Sequence, residues 1–475
     1  MKRYDYIVVG GGAAGFSNIV KLNELSDGKA TILLVSKGPL GGTCVNTGCV
    51  PSKTLIEVAR HIHNINRFRD RGLEIDGYQY SFAETLRKIR EVVEELRVGK
   101  YENILKEFDN VEYIFGEARF IDRNTLEINH GDKFEVVGDK ILISTGSRPA
   151  IPPIDGLDKI EYLTTDNLWS LDKKPDSIAI IGSGAVGLEI SQSLTRLGIE
   201  VYLIEVLDRP IPNTEPEISE MIKDRLEEEG VKTYFKTRVE KIWKQNDRVI
   251  LSLIGHEGKR EIEVDNILLA TGRKPNTEGL NLEKAGVEVD DRGFIKVNSY
   301  MQTTNPDIYS AGDVAASPKP AMLETIAARE GVVAAFKMTG HTPKPIDYNA
   351  IPVVVFIDPE LAFVGKTEAQ VMKELGVCAC RGVKFSSLPK SKIINHDEGY
   401  AKIIIDPYTR EVKGVHVYSP YASEIILQAS LYIRHRYKVE DILDVIQVFP
   451  TVSEIVKLSA QAFIRRVDKM PCCVE

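Results

Sequence analysis

The stretch YDYIVVGGGAAG, Tyr4 to Gly15, decides the fold, because an apolar run passes straight into closely spaced glycines. Tyr4 to Val9 reads as a buried strand, and Ile19, Val20, Leu22 and Leu25 behind the glycines read as an apolar helix. In that setting Gly10 makes a tight turn, Gly12 lets backbone approach a pyrophosphate, and Gly15 lets the helix pack on the strand. A dinucleotide-binding βαβ unit follows. The next strand, TILLVSKG, places Ser36 where an acidic residue normally holds a ribose, and a hydroxyl can still hydrogen-bond there.

The signature recurs further along. Ser177 to Ile181 leads into Gly182, Gly184 and Gly187, and the following strand, EVYLIE, ends in Glu205. Two such fingerprints in one chain predict two nucleotides bound face to face, a far more specific signal than either alone. A carboxylate at Glu205 hydrogen-bonds a free ribose 2′-hydroxyl and repels a 2′-phosphate, which predicts NADH over NADPH, although Arg209 close by pulls the other way. ILISTGSRP, with Thr145-Gly146, and ILLATGRKPN, with Thr271-Gly272, repeat one pattern, so each half is expected to end on a strand and a Thr-Gly turn. Pro149, Pro152 and Pro153 form a stiff connection that marks a domain boundary.

Between the first fingerprint and that boundary lies GGTCVNTGCVPSK, Gly41 to Lys53, with Cys44 and Cys49 five residues apart. Five helical steps put two side chains on different faces, so bridging them needs a distorted turn, for which Thr47-Gly48 supplies permissive backbone. The pair reads as a redox-active disulfide. Two buried free cysteines or half a zinc site are the alternatives, the latter lacking two further ligands at matching spacing nearby. Leu86, Ile89, Val93 and Leu96 repeat at helical spacing as a core-facing helix. His61 and His63, two apart on a helix, do not share a face and do not suggest a metal site.

Composition narrows the classes. A chain of 475 residues exceeds a single core, 43% hydrophobic content suffices for several, and a formal charge of -8 argues against a nucleic-acid or anionic-membrane partner. Tyr6 to Val9 is too short for the apolar region of a signal peptide, and no run approaches the roughly 18 apolar residues of a membrane span. Six cysteines in so long a chain predict a reducing cytoplasm, where a disulfide has a catalytic use. DIYSAGDV places Asp313 after a strand, where a carboxylate can hold a ribityl chain. IPVVVFIDPELAFVG, YAKIIID and VKGVHVY read as strands of a further module, followed by a helix from Ser423 to Ile433. Cys378 and Cys380 alternate along a strand and share a face, with small-residue packing as the plain reading.

Taken together, GGGAAG, GGTCVNTGCVPSK, GSGAVGLE (Gly182 to Glu189), ATGRKPN, AGD (Ala311 to Asp313) and the last module resemble the flavoprotein disulfide reductases over essentially the whole chain. The resemblance implies an α/β fold: two Rossmann-like dinucleotide-binding domains, for FAD and NAD(P), and a C-terminal α+β dimerisation domain forming a homodimer. Residues 1–150 and 276–346 would make the FAD-binding and central part, 151–275 the NAD(P)H-binding domain, and 347–475 the dimerisation domain with its tail. By the same resemblance Cys49 is the flavin-proximal thiol, Cys44 the interchange thiol, and Lys53 and Glu189 an ion pair near the flavin. Implied cofactor contacts are Gly10, Gly12, Gly15, Ser36, Gly42, Thr43, Lys53, Thr145, Gly146 and Asp313, with Gly182, Gly184, Gly187, Glu205 and Gly272.

Two departures choose among the family's chemistries. Members that reduce organic dithiols carry His-Pro-Thr followed by Glu, whereas this chain reads Phe449-Pro450-Thr451-Val452-Ser453-Glu454, and a phenyl ring cannot shuttle a proton. Thr451 and Glu454 have capping-box spacing before a helix bearing Ile455, Leu458, Ala462 and Phe463. The tail, MPCCVE, ends in adjacent Cys472 and Cys473, whose Cα spacing of about 3.8 Å disfavours a disulfide and suits a soft linear cation. The mercury-reducing members resemble this sequence in both respects, though they usually carry Tyr where Phe449 stands. That likeness implies Hg(II) as substrate, held by Cys44, Cys49, Cys472 and Cys473, with electrons from NADH or NADPH through FAD. A lipoamide-type or thioredoxin-reductase-type disulfide reductase and a metal-sequestering binding protein are the competing expectations.

Overall fold

The computed structural model describes residues 1–467 except 73, 75, 257 and 319–321. Its first sheet grows from strand Lys2–Val9, whose last residues Ile7, Val8 and Val9 are buried among other apolar side chains. Strands Ile32–Ser36 and Lys133–Ile143 flank it in parallel, Val111–Phe115 extends one edge, and Thr125–Asn129 and Glu117–Phe120 add antiparallel strands at the other. Strand Ile308–Ser310, far along the chain, pairs in parallel with Ile141 to Ile143 of the same sheet. Residues after the second fingerprint therefore return to complete the first nucleotide fold.

A second parallel sheet runs Lys232–Tyr234, Glu200–Ile204, Ser177–Ile181, Asn266–Leu269. The central strands Ser177–Ile181 and Asn266–Leu269 are short and buried on both faces, which accounts for their apolar runs. A three-stranded antiparallel sheet, Arg238–Gln245, Arg248–Gly255 and Gly258–Val264, caps this fold. The two Thr-Gly turns meet: Ser147–Pro149 and Arg273–Pro275 pair antiparallel, Ala150 N–H donates to Gly272 O at 2.9 Å, and Asn276 N–H donates to Gly146 O at 2.9 Å. The repeated motif is thus the crossing between the two nucleotide folds.

The last module is a five-stranded antiparallel sheet, Val353–Val355, Glu360–Gly365, Val412–Ser419, Tyr400–Ile405, Ala379–Lys384, covered by helices Ala422–Arg434 and Glu454–Gln461. Helix Glu454–Gln461 starts later than the Thr451 spacing predicts. Glu454 does accept the Thr451 N–H at 2.8 Å, but the Thr451 hydroxyl donates to Val448 O at 2.9 Å instead of capping the helix. Ile446, Val448 and Phe449 before it, and Leu427 and Leu431 on the covering helix, are exposed. Among the described residues no helix is long and apolar enough to cross a membrane.

Candidate active site

The glycines of the two fingerprints have equivalent surroundings. Gly10 and Gly182 adopt φ of 114° and 105°, and a Cβ would lie 2.3 Å from Ser144 O in one case and 2.4 Å from Ala270 O in the other. A Cβ on Gly15 would lie 2.0 Å from Gly10 O, and one on Gly187 1.9 Å from Gly182 O, so neither helix can pack with a larger residue. Gly12 and Gly184 precede their helices with no side-chain cap. A Cβ on Gly184 would meet nothing within 4 Å, and one on Gly12 only the Cα of Gly42 at 3.8 Å. Unsatisfied helix N–H groups facing open space are what a pyrophosphate needs, so both sites fit a dinucleotide.

The strand ends differ. The Ser36 hydroxyl donates back to Gly38 O at 2.9 Å, leaving it only lone pairs for a ribose hydroxyl. Glu205 is buried; Oε2 accepts Ser183 N–H at 2.7 Å and Ser183 Oγ–H at 2.9 Å, and Oε1 accepts Leu207 N–H at 2.9 Å. The carboxylate therefore fastens the glycine loop to the strand end and keeps one Oε1 lone pair available.

Cys44 and Cys49 lie on two successive helices. Gly42–Asn46 carries Cys44, and Cys49–Arg67 starts on Cys49. The left-handed residues here are Gly41 (φ 87°) and Gly42 (φ 59°), not the Thr47-Gly48 step. Gly48 is required for another reason: its N–H donates to Thr43 O at 2.6 Å and a Cβ would sit 3.0 Å from that oxygen. Trp169 Nε1–H donates to Thr47 O at 2.9 Å, and Asn46 Nδ2–H to Leu40 O and Gly42 O, which hold the break between the helices. The two thiols are electrostatically coupled: that coupling, with Lys53 assisting and burial opposing, lowers Cys49 to about 7, while the same coupling and burial push Cys44 up. Cys49 is thus the more readily ionised thiol of the pair. A thiolate on the first residue of a helix is further favoured by the helix dipole.

Lys53 lies one turn beyond Cys49, on the same face. Its Nζ is 2.8 Å from Glu189 Oε2, Glu189 is buried, and Oε1 accepts Phe356 N–H at 2.9 Å; the ammonium also lies 4.7 Å from the centre of the Phe356 ring. One ion pair therefore joins the thiol helix, the second fingerprint helix and the last sheet. Asp313 accepts Ser147 Oγ–H at 2.7 Å, with Arg273 Nε 3.8 Å away and donating to Ser147 Oγ at 2.6 Å. Thr145 Oγ–H donates to Asn276 O at 2.7 Å, and Gly146 and Gly272 have φ of 68° and 95°. Gly42 and Thr43 sit in the Cys44 helix, and a Cβ on Gly42 would lie 2.8 Å from Gly12 Cα, so the thiol helix abuts the first fingerprint.

Several residues near the thiols carry no sequence motif. Tyr101 lies on a π-helical turn, Val98–Glu102, where a Cβ on Gly41 would touch its ring at 3.3 Å, and it interacts electrostatically with Cys44 and Cys49. Glu324 opens helix Glu324–Met338 and interacts with both thiols. Glu330 on the same helix is buried, accepts Gly312 N–H at 2.7 Å and Tyr348 O–H at 2.8 Å, and burial raises its carboxyl above the usual range. No pattern in the sequence marks them; the π-turn beneath Tyr101, of a kind that gathers at functional sites, is visible only in the structure.

Cys380 lies on strand Ala379–Lys384 and donates to Glu368 Oε2 at 3.2 Å, an oxygen that also takes Lys402 Nζ at 2.7 Å; burial pushes the thiol up to about 12. Cys378 just precedes the strand. His63 Nε2 is 3.0 Å from Arg225, and His61 Nδ1 is 2.8 Å from Glu57 O. Cys472 and Cys473 lie outside the described residues.

Comparison with known proteins matches residues 4–331 to the pyridine nucleotide-disulphide oxidoreductase family and residues 351–460 to the dimerisation domain of that name. A mercuric reductase of Lysinibacillus sphaericus is 36% identical over 472 residues, 99% of this chain and 84% of that protein. One from Streptomyces lividans is 33% identical over 474 residues, covering 99% and 98%. The mitochondrial dihydrolipoyl dehydrogenase of Pisum sativum is 33% identical over 464 residues, covering 96% and 91%. Among solved structures, the Cu(II) complex of the HOCl-induced flavoprotein disulfide reductase RclA from Escherichia coli superposes with a TM-score of 0.87 at 25% identity, over 98% of this chain and all of that one.

Proposed function

The chain belongs to the pyridine nucleotide-disulphide oxidoreductase family, and from that premise we propose that it is an FAD-dependent mercuric reductase, converting Hg(II) to Hg(0) with electrons from NAD(P)H. The observation that carries this reading is a thiolate–thiol pair, Cys49 and Cys44, at the meeting of two dinucleotide folds, while position 449 holds an exposed phenyl ring and no imidazole. Dithiol exchange needs a group to protonate the departing thiol. Hg(II) needs only two thiolates to grip it and an electron pair.

The chemistry that bound FAD supplies is passage of an electron pair from the nicotinamide side to the thiol side. Residues 1–150 with 276–346 hold it, residues 151–275 hold NAD(P)H, and residues from 347 onward form the interface of a cytoplasmic homodimer, whose exposed Leu427, Leu431, Ile446 and Val448 suit burial against a second copy. Gly10, Gly12 and Gly15 would frame the flavin nucleotide's pyrophosphate, Asp313 would meet the ribityl chain, and Thr43, Thr145 and Gly146 would complete the set that holds it. Lys53 would place its charge near the flavin ring, and Glu189 holds Lys53 in position. Cys472 and Cys473 of the partner tail take Hg(II) from its thiol carrier and pass it by ligand exchange to Cys44 and Cys49, two new Hg–S bonds replacing two old ones. The sum is NAD(P)H plus Hg(II) giving NAD(P)⁺, a proton and Hg(0).

The test is Hg(II)-dependent oxidation of NADH and NADPH in excess thiol, run beside lipoamide and thioredoxin. Mercury should drive turnover, and Cys49→Ser should cut it by at least about a thousandfold while dye reduction persists. Stimulation by lipoamide or thioredoxin in place of mercury would move the chain to the disulfide-reducing branch, and stoichiometric uptake without turnover would make it a metal-binding protein. Deleting Cys472 and Cys473 should slow turnover of Hg(II) held by bulky thiols and leave dye reduction intact.

A further inference from the structure

One charge beside the thiols has no part in the proposed cycle. Helix Glu324–Met338 crosses the first fingerprint helix so closely that a Cβ on Gly331 would lie 2.1 Å from Ala14 O. A Cβ on Gly312 would lie 3.3 Å from the Cβ atoms of both Ala14 and Ala327. Glu324, Ala327 and Gly331 are spaced to share one helix face, so Glu324 projects along the side that meets Ala14. Ala14 follows the Gly12 cap, and a Cβ on Gly42, first residue of the Cys44 helix, would lie 2.8 Å from Gly12 Cα. Successive close packing thus carries the Glu324 carboxylate to the Cys44 end of the site.

The local electrostatics match that placement. Glu324 interacts with Cys44, Cys49 and the Tyr101 hydroxyl, and at Cys44 its effect exceeds that of Lys53. Lys53 is already paired with Glu189, and among the described residues the side-chain charges with the largest effect on the thiols are Lys53, Glu189 and Glu324. Among the described residues Glu324 has no ion pair or hydrogen bond of its own. A first-turn carboxylate gains from the helix dipole wherever it points. Pointing at the thiols, it makes a thiolate harder to form, which handicaps dithiol exchange and helps only a substrate that brings positive charge. A hard carboxylate oxygen is a poor ligand for a soft cation that thiolates already hold, so the carboxylate acts through its field.

We propose that Glu324 is a specificity-determining residue, whose carboxylate beside Cys44 and Cys49 favours cationic metal complexes at the thiols over anionic ones. The assignment rests on the mercuric reductase reading for its substrate, and its test separates the two. Holoenzyme is assayed with Hg(II) as its cysteamine complex, which is cationic, and as its glutathione complex, which is anionic. In parallel, the NAD(P)H-reduced enzyme is titrated with a cationic and an anionic methanethiosulfonate, whose capture by the thiols requires no mercury. Wild type should favour the cationic member of each pair, and Glu324→Gln should shrink that preference about fivefold at low salt and far less at high salt. Glu324→Asp, which keeps the charge, should keep the preference. Unchanged methanethiosulfonate ratios in Glu324→Gln, or equal shifts in Glu324→Gln and Glu324→Asp, overturn the assignment. Charge-dependent thiol capture with no mercury turnover by wild type would instead overturn the reading of the substrate and leave Glu324 as an electrostatic selector.

Discussion

The two glycine fingerprints share a steric skeleton and part company at the next strand end. Both place their third glycine against the first glycine's carbonyl, where no Cβ fits, and both leave an uncapped helix N-terminus facing open space. The first then ends in Ser36, turned back on Gly38, and continues into the thiol helices; the second ends in Glu205, buried and bonded to Ser183 and Leu207. The common part answers the pyrophosphate that FAD and NAD(P)H share. On the proposed reading the differing parts would decide which nucleotide is chosen and which fold carries the redox chemistry, so that cofactor choice would be separable from the fold itself.

The largest expected effect comes from attacking the shared skeleton in one copy at a time. Gly15→Ala should abolish flavin retention, read as loss of visible flavin absorbance in the purified protein. Gly187→Ala should retain flavin, remain reducible by dithionite, and lose reduction by NAD(P)H. Loss of flavin from both variants would erase the division of labour between the copies.

A smaller effect should follow at the differing strand ends. Glu205→Gln keeps an acceptor for the loop and removes the charge, so the NADPH-to-NADH ratio of kcat/KM should rise about tenfold. An unchanged ratio would confine Glu205 to fastening the loop.

The smallest concerns the seam that joins the copies. Burial first, and then Arg196, depress His63 to about 4, and burial depresses His396 to about 4 despite Asp358 3.9 Å away. Unfolded chains protonate histidine near 6.5, so the unfolded state binds more protons between there and about 4. Stability should therefore fall as pH drops through that window, read as a declining Tm. Replacing both histidines by Gln should flatten the decline; an equal slope in the double variant would assign it to the carboxylates.

Much of the site was legible because its signals are local. Glycines before a helix, cysteines around a turn, and a lysine one turn after a cysteine are spacings along one element, and spacing is what a sequence displays. Even here the physical reason shifted: left-handed backbone falls on Gly41 and Gly42, while Gly48 serves a close approach to Thr43. Glu324 and Tyr101 were illegible because nothing nearby in the chain distinguishes them from solvated helix residues. Glu330 was hidden likewise, its partners Gly312 and Tyr348 coming from elements on either side of its helix.

By itself the sequence determined two dinucleotide folds, a redox-active cysteine pair following the first fingerprint and the missing imidazole at Phe449, because each follows from residue type at fixed spacing. Only the tertiary structure decided that the two Thr-Gly turns pair with each other, that Glu189 holds Lys53 while itself held by Phe356, and that Glu324 confronts Cys44 across more than two hundred residues of chain. Those contacts arise where separate elements pack, and their distances depend on helix crossings that no single segment specifies.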